Sequence, residues 1–153
     1  RLYDMLEKLD RNVCYCDTDS IVYIENEETN QIVAPFLGDS LGQWTDELKG
    51  NNISYWNCAQ PKDYGYILNN GAVKGKCKGF RVNAETEAKM TFEDRTKLIN
   101  GQLNSVNINY DQFTIKNTEI YTKHMVKQWN FKFDKRIVFR VDDDNIDSFP
   151  YGF

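Results

Sequence analysis

Asp17 and Asp19 stand one residue apart in Tyr15-Cys16-Asp17-Thr18-Asp19-Ser20, and the apolar, β-forming runs on either side make them the first candidates for chemistry. Carboxylate oxygens are hard ligands suited to Mg2+. Phosphoryl or nucleotidyl transfer needs such ligands on rigid elements, because two cations must bridge the attacking oxygen, the transferred phosphate and the leaving group. A strand end supplies that rigidity. Two Asp do not complete such a site, so at least one further carboxylate has to come from another segment or another chain. A calcium loop of the EF-hand type is excluded, since Ile21 and Val22 would fall where an oxygen ligand and a glycine are required. The plain alternative is a turn in which Asp17 to Ser20 satisfy backbone groups with short polar side chains.

Several elements must position this turn. Leu2, Met5, Leu6 and Leu9 recur at helical spacing, which predicts the end of an amphipathic helix over residues 2 to 11, closed by Arg11-Asn12. Val13 to Cys16 and Ile21 to Glu25 read as strands, so a helix feeds a hairpin whose turn is Asp17 to Ser20. Glu27 to Asn30 reads as a polar turn, Gln31 to Ala34 as a short edge strand before Pro35, and Gln43 to Lys49 as a short helix ended by Gly50. Ile53 to Ala59, Asp63 to Leu68 and Val73 to Lys78 predict an antiparallel meander, punctuated by Pro61 and by Asn69-Asn70-Gly71. A lobe boundary is expected near Gly79 to Asn83. Thr91 is an N-cap with Asp94 three residues on, predicting a helix from Phe92 to Ile99 before Gly101. Ile108 to Ile115, His124 to Phe133 and Arg136 to Val141 read as strands, and the aromatic tail Phe149-Pro150-Tyr151-Gly152-Phe153 as a segment that tucks back. The fold class is α+β.

The bulk composition narrows the function classes. With 153 residues, 41% apolar and 14% aromatic, the chain can build one ordinary domain or two small lobes. It has no run of 18 apolar residues and no basic, apolar leader, which argues against a membrane partner and a secretory signal. Starting at Arg1 rather than Met, it reads as a fragment or a processed product. Cys14, Cys16, Cys58 and Cys77 fit no four-ligand zinc spacing and read as reduced, mostly buried thiols of an intracellular protein, with a metal or disulfide as the alternative. Cys14 and Cys16 would share one strand face. His124 is the single histidine, which excludes a His-rich metal site within the chain.

The net charge of −4 conceals a segregation of sign. Lys62, Lys74, Lys76, Lys78 and Arg81 face only Asp63 between Gln60 and Arg81. Lys116, Lys123, Lys127, Lys132, Lys135 and Arg136 outnumber Glu119 and Asp134 further on. Acidic groups concentrate at Asp17, Asp19, Glu25, Glu27 and Glu28 and at Asp142, Asp143, Asp144 and Asp147, the triplet reading as a solvated turn. One surface for metal and another for phosphate would produce this pattern, as would solvated charge alone.

Tyr15-Cys16-Asp17-Thr18-Asp19-Ser20 resembles the third palm motif of family B DNA polymerases, with its Asp-Thr-Asp-Ser core. Gln60-Pro61-Lys62-Asp63-Tyr64 looks like their Lys-x-Tyr element. Lys76-Cys77-Lys78-Gly79-Phe80-Arg81 resembles the Lys-x-Lys-Gly-Phe stretch of the protein-primed viral, transposon and plasmid members. The end of the chain, Asp134-Lys135-Arg136 before Pro150-Tyr151-Gly152, is similar as well.

The resemblance implies a polymerase palm fragment over residues 1–80, with helix, hairpin and antiparallel strands, and a small mixed thumb-like region over 81–153. It implies Mg2+, with Mn2+ as the other cation, held by Asp19 directly and supported by Asp17. Tyr15 would orient the hairpin near the primer strand. Lys62 and Tyr64 would touch the primer terminus, and Lys76 and Lys78 would continue the basic track along primer–template DNA. The substrate would be a deoxynucleoside triphosphate (dNTP), extended onto a primer hydroxyl or the hydroxyl of a terminal-protein primer. The first palm motif, the fingers helix and any exonuclease carboxylates are absent, so the chain should be inactive without upstream segments of the same polymerase. A degenerate palm–thumb module that binds DNA without synthesis, and a structural domain with an incidental acidic turn, are the competing readings.

Overall fold

The structure, a computed structural model, describes residues 1–80, 84–131, 136–141 and 146–150. Arg81, Lys132, Asp134, Lys135, the acidic triplet Asp142–Asp144 and the tail Tyr151–Phe153 lie outside the described residues. The protein is α+β, with its strands in small antiparallel sheets. The chain forms two compact units, Arg1–Trp56 with Tyr66–Lys74, and Asn57–Gly65 with Gly75–Phe153. Among the described residues no helix is long and apolar enough to cross a membrane.

In the first unit, α1 (Leu2–Leu9) buries Met5 and Leu9 and ends in a single 3-10 turn, Asp10–Asn12. β1 (Val13–Asp17) and β2 (Ser20–Tyr23) follow as an antiparallel hairpin. The expected edge strand at Gln31–Ala34 is helical instead: α2 spans Glu27–Val33 and runs into a 3-10 turn, Ala34–Phe36. Its start is a reciprocal cap. The Asn26 side chain accepts from the Thr29 backbone N–H, and the Thr29 hydroxyl accepts from the Asn26 N–H, both at 2.9 Å. Thr29 is fully buried, so this cap and the hydroxyl's bond to the Ile24 carbonyl at 2.9 Å lie in the core. Val33 then joins Met5 and Leu9, with Val13, Ile21, Tyr23, Ile32 and Trp44 packed around them.

The expected helix over Gln43–Lys49 is a loop. The Asp46 carboxylate accepts from the Leu48 and Gly50 N–H groups at 2.8 and 2.7 Å, a local arrangement that competes with helical hydrogen bonding.

β3 (Ile53–Gln60), β4 (Asp63–Leu68) and β5 (Val73–Cys77) form the meander in that order, joined by Pro61-Lys62 and by a turn at Gly71. Such short connections permit only antiparallel pairing.

The second unit carries α3 (Ala84–Lys89), which the sequence pattern did not predict, and α4 (Phe92–Ile99), which it did. The Thr91 hydroxyl accepts from the Asp94 N–H at 3.0 Å, as an N-cap should. β6 (Val106–Lys116) and β7 (Glu119–Trp129) make a long hairpin in full register from Val106↔Trp129 to Lys116↔Glu119. β7 therefore starts well before His124 and stops before Phe133, because hairpin register rather than local propensity sets its ends. β8 (Arg136–Arg140) pairs with β9 (Ile146–Pro150). Cys77, Leu98, Ile108, Tyr110 and Trp129 are the core of this unit.

Inside it sits an ion pair. Asp63 on β4 is 1% exposed, Arg95 on α4 is 3% exposed, and the two side chains pair directly. The other Asp63 oxygen accepts from Trp129 Nε1 and from the Cys77 thiol, each at 3.3 Å. The Arg95 guanidinium lies 4.7 Å from the centre of the Trp129 ring, a cation–π contact out of water. Burial pulls Arg95 down to about 10, which leaves it charged at neutral pH. Room for it comes from glycines: a Cβ on Gly65 would lie 3.0 Å from Arg95 Nε, and one on Gly75 would lie 3.1 Å from the Tyr64 carbonyl.

Leaving one member of such a pair buried alone costs about 3–5 kcal/mol, whereas replacing both by apolar groups costs far less. Arg95→Met should lower unfolding stability by that amount in urea titration. The double variant Asp63→Leu/Arg95→Met should lose less than Arg95→Met alone, and an equal or larger loss in the double variant contradicts this account of the pair.

Candidate functional site

The acidic turn is tighter than the sequence pattern indicates. Asp17 pairs with Ser20, so only Thr18 and Asp19 form the loop. The Asp19 N–H donates to the Asp17 carbonyl, and the Ser20 hydroxyl donates to the same oxygen at 3.1 Å. Thr18 is held at φ 49°, a region that a β-branched side chain rarely enters. Its hydroxyl donates to Asp17 Oδ1 at 3.1 Å. Asp17 is half-buried and Asp19 exposed, so the tip presents two carboxylates in consecutive alternate positions.

One irregularity determines where the hairpin points. Val13 pairs with Tyr23 but Tyr15 pairs with Val22, so β1 carries one extra residue, at Cys14. Cross-strand partners share a face of the sheet. Val13, Ile21 and Tyr23 pack on the α1 and α2 core. Tyr15 and Asp17, with Val22 and Ser20, therefore belong to the opposite face. Without the bulge, Val13, Tyr15 and Asp17 would all point one way. On that opposite face the Tyr15 ring meets Trp56 of β3 at 5.7 Å and an interplanar angle of 47°. Trp56 stacks on Tyr66 of β4 at 6.0 Å and 20°. The sequence reading missed Trp56 and Tyr66. Their only signal was the aromatic content of two predicted strands.

The basic candidates belong to the second unit. Cys77 donates to Asp63, and a Cβ on Gly75 would lie 3.7 Å from Gly65 Cα, which together fix β5 against β4. Asp63, Gly65, Gly75 and Cys77 thus line the face that packs on Arg95. By alternation Tyr64 on β4 and Lys76 on β5 take the other face, while Lys62 lies in the turn before β4 and Lys78 in the turn after β5; Lys62 and Tyr64 are half-buried, and Lys76 and Lys78 exposed. Lys62 is at φ 62° in the second position of the Pro61-Lys62 turn, where glycine is the ordinary choice.

The donor chemistry at the hairpin tip fits a hard divalent cation, since carboxylate oxygens are what it offers. Among the described residues no group of three or more His, Cys, Asp or Glu side chains comes together, so a cation at Asp17 and Asp19 would need ligands from elsewhere. The cysteines depart from expectation. All four are free, but Cys14 and Cys16 are exposed, Cys58 is half-buried and only Cys77 is buried. The bulge also interrupts the alternation from which a shared face for Cys14 and Cys16 was inferred. Burial raises the Cys58 thiol and pushes Cys77 up to about 12.

The chain matches no protein-family model, no curated protein and no solved structure.

Cys14 and Cys16 should react quickly with a disulfide reagent at neutral pH, and Cys77 only upon unfolding. Because the folded Cys77 thiol titrates near 12 rather than 9, its contribution to stability is complete below pH 9 and is lost as pH rises toward 12. Denaturation midpoints should fall over that window, and Cys77→Val should flatten the fall.

Proposed function

We propose that this chain is part of a DNA polymerase resembling family B, contributing one side of a two-metal nucleotidyl-transfer site and part of the surface that holds primer–template DNA. The observation that supports the reading is the hairpin tip: Asp17 ends β1 and Asp19 lies in the two-residue loop after it, on either side of Thr18, and the bulge turns Tyr15 and Asp17 to the face opposite the α1 and α2 core. A tip that merely satisfied its own backbone would not need two carboxylates around a strained threonine.

In the proposed reaction the primer 3'-hydroxyl oxygen attacks the α-phosphorus of a dNTP, a new P–O bond forms, and pyrophosphate leaves. Divalent cations bound at Asp17 and Asp19 would supply neutralisation of the charge developing on phosphate. Asp19, exposed at the tip, is the principal ligand in this reading, and Asp17 supports it. Tyr64 on β4 and Lys76 on β5, with Lys62 and Lys78 in the turns beside them, would hold the primer terminus and its phosphates. Phosphate contacts position a duplex without selecting its sequence, which is what template-directed synthesis requires.

Primer extension by the polypeptide that carries this chain should depend on Mg2+ or Mn2+ and fall by at least roughly 100-fold in Asp19→Ala, the order lost when one electrostatic contact to the transition state is removed. Extension at the normal rate in that variant overturns the active-site assignment. DNA binding without extension in the parent polypeptide would favour the degenerate palm–thumb module.

Binding of primer–template to the 153-residue chain should weaken steeply with salt. Each of Lys62→Ala, Lys76→Ala and Lys78→Ala should reduce the slope of log K against log salt by about one. Lys62→Gly separates function from stability: it should weaken binding as Lys62→Ala does, yet raise the melting temperature, because leaving the left-handed region to glycine removes about 1 kcal/mol of strain.

A further inference from the structure

We infer that Trp56 is a positioning residue that aims the acidic hairpin tip, acting through Tyr15. This rests on the proposed role of Asp17 and Asp19. The hairpin is a two-stranded ribbon, and such ribbons are marginal unless something packs against them. One face is held by Met5, Leu9 and Val33 through Val13, Ile21 and Tyr23. Those contacts run from Val13 and Tyr23 up to Ile21, which pairs with Cys16, and they hold that face only.

The other face carries Tyr15, two residues before Asp17 and on the same side of the strand. Its ring is held by Trp56, and Trp56 is held in turn by Tyr66. Trp56 and Tyr66 come from different strands of the β3–β5 meander, so the column Tyr15–Trp56–Tyr66 ties the ribbon to a second sheet. Aromatic pairs of this kind contribute through large contact area and preferred ring geometry. Tyr66 is sufficiently desolvated that burial raises its phenol, with the Glu47 carboxylate adding to the shift. The ribbon is thereby clamped on both faces, and the clamp on the face that carries Asp17 is the aromatic one. A carboxylate pair must be held within a fraction of an ångström of its working geometry, and the supporting residues set that tolerance. The route from Trp56 to the carboxylates runs through the Tyr15 ring and the strand that carries Asp17.

The test compares Trp56→Leu, Trp56→Phe, Leu68→Ala and Asp19→Ala in the full chain. Leu68→Ala removes buried volume from β4 outside the column and serves as the control for general loosening. Mn2+ is the probe, followed by water-proton relaxation, with thermal melting in parallel. Trp56→Leu should weaken Mn2+ binding about tenfold, Trp56→Phe by less than about threefold, and Leu68→Ala should lower the melting temperature without changing Mn2+ binding. Unchanged Mn2+ affinity in a folded Trp56→Leu protein, or equal weakening in Leu68→Ala, overturns the inference.

Asp19→Ala separates this inference from the reading beneath it. If that variant binds Mn2+ as the parent does, the metal assignment fails, and the brace is then judged by metal-free amide exchange across β1 and β2. Faster exchange in Trp56→Leu than in Trp56→Phe and Leu68→Ala upholds the brace, and equal exchange in all three removes it.

Discussion

Asp63 carries a carboxylate into a place water does not reach, and much of the second unit is arranged around that fact. Its charge is met by Arg95, its second oxygen by the Trp129 indole and the Cys77 thiol, and the guanidinium by the face of the Trp129 ring. Each partner imposes a condition elsewhere. Arg95 reaches the site because Thr91 caps α4 one turn before it, and it fits because β4 and β5 carry glycine where any other residue would intrude. Trp129 must stand at the end of β7, which its pairing with Val106 secures. Desolvating an ion pair costs several kcal/mol per ion, which the mutual attraction of the two charges and the indole and thiol bonds to the second carboxylate oxygen offset.

The same pair determines what the opposite surface displays. Once Asp63, Gly65, Gly75 and Cys77 face Arg95, strand alternation leaves Tyr64 and Lys76 to the other side. The hairpin in the first unit follows a parallel logic with a different device. There the extra residue at Cys14 changes the parity of β1, sending Val13 into the core while Tyr15 and Asp17 turn toward Trp56. In both places the direction of a side chain is set by a constraint on its neighbour.

The parts of this architecture legible in the sequence were those specified locally. The helix at Leu2–Leu9, the strand pair around Asp17, the meander and the Thr91-capped helix each announce themselves by periodicity or by a cap within a few residues. Gln31–Ala34 misled because β-branched Ile32 and Val33 suggest a strand, while the deciding signal, Asn26 and Thr29 capping each other, lies upstream and uses Thr in place of the usual acidic or amide partner. Gln43–Lys49 has helix-forming composition, but Asp46 binds its own downstream backbone. The acidic residues of the candidate site were evident from type and spacing. Asp63 passed as one stray negative charge in a basic run, since nothing local shows that its partners sit at Cys77, Arg95 and Trp129. A bulge and an aromatic contact between strands 41 residues apart in number, Tyr15 and Trp56, are equally silent in one dimension.

Turn chemistry gives the last indication of what these hairpins are for. Positive φ is free for glycine and costs about 1–2 kcal/mol for other residues. The β4–β5 turn, to which no chemistry is assigned, meets this demand with Gly71 at φ 83°. The β1–β2 and β3–β4 turns meet it with Thr18 and Lys62, at 49° and 62°. Strain by itself does not single these out, because Asn117 and Thr118 at the end of the β6–β7 hairpin also have positive φ. What distinguishes the first two is their setting. Thr18 lies between the two carboxylates and bonds one of them, and Lys62 stands half-buried in the turn that leads into β4. At Lys62 a glycine would satisfy the turn better. At Thr18 the hydroxyl bonded to Asp17 holds a carboxylate in place, which a glycine would release.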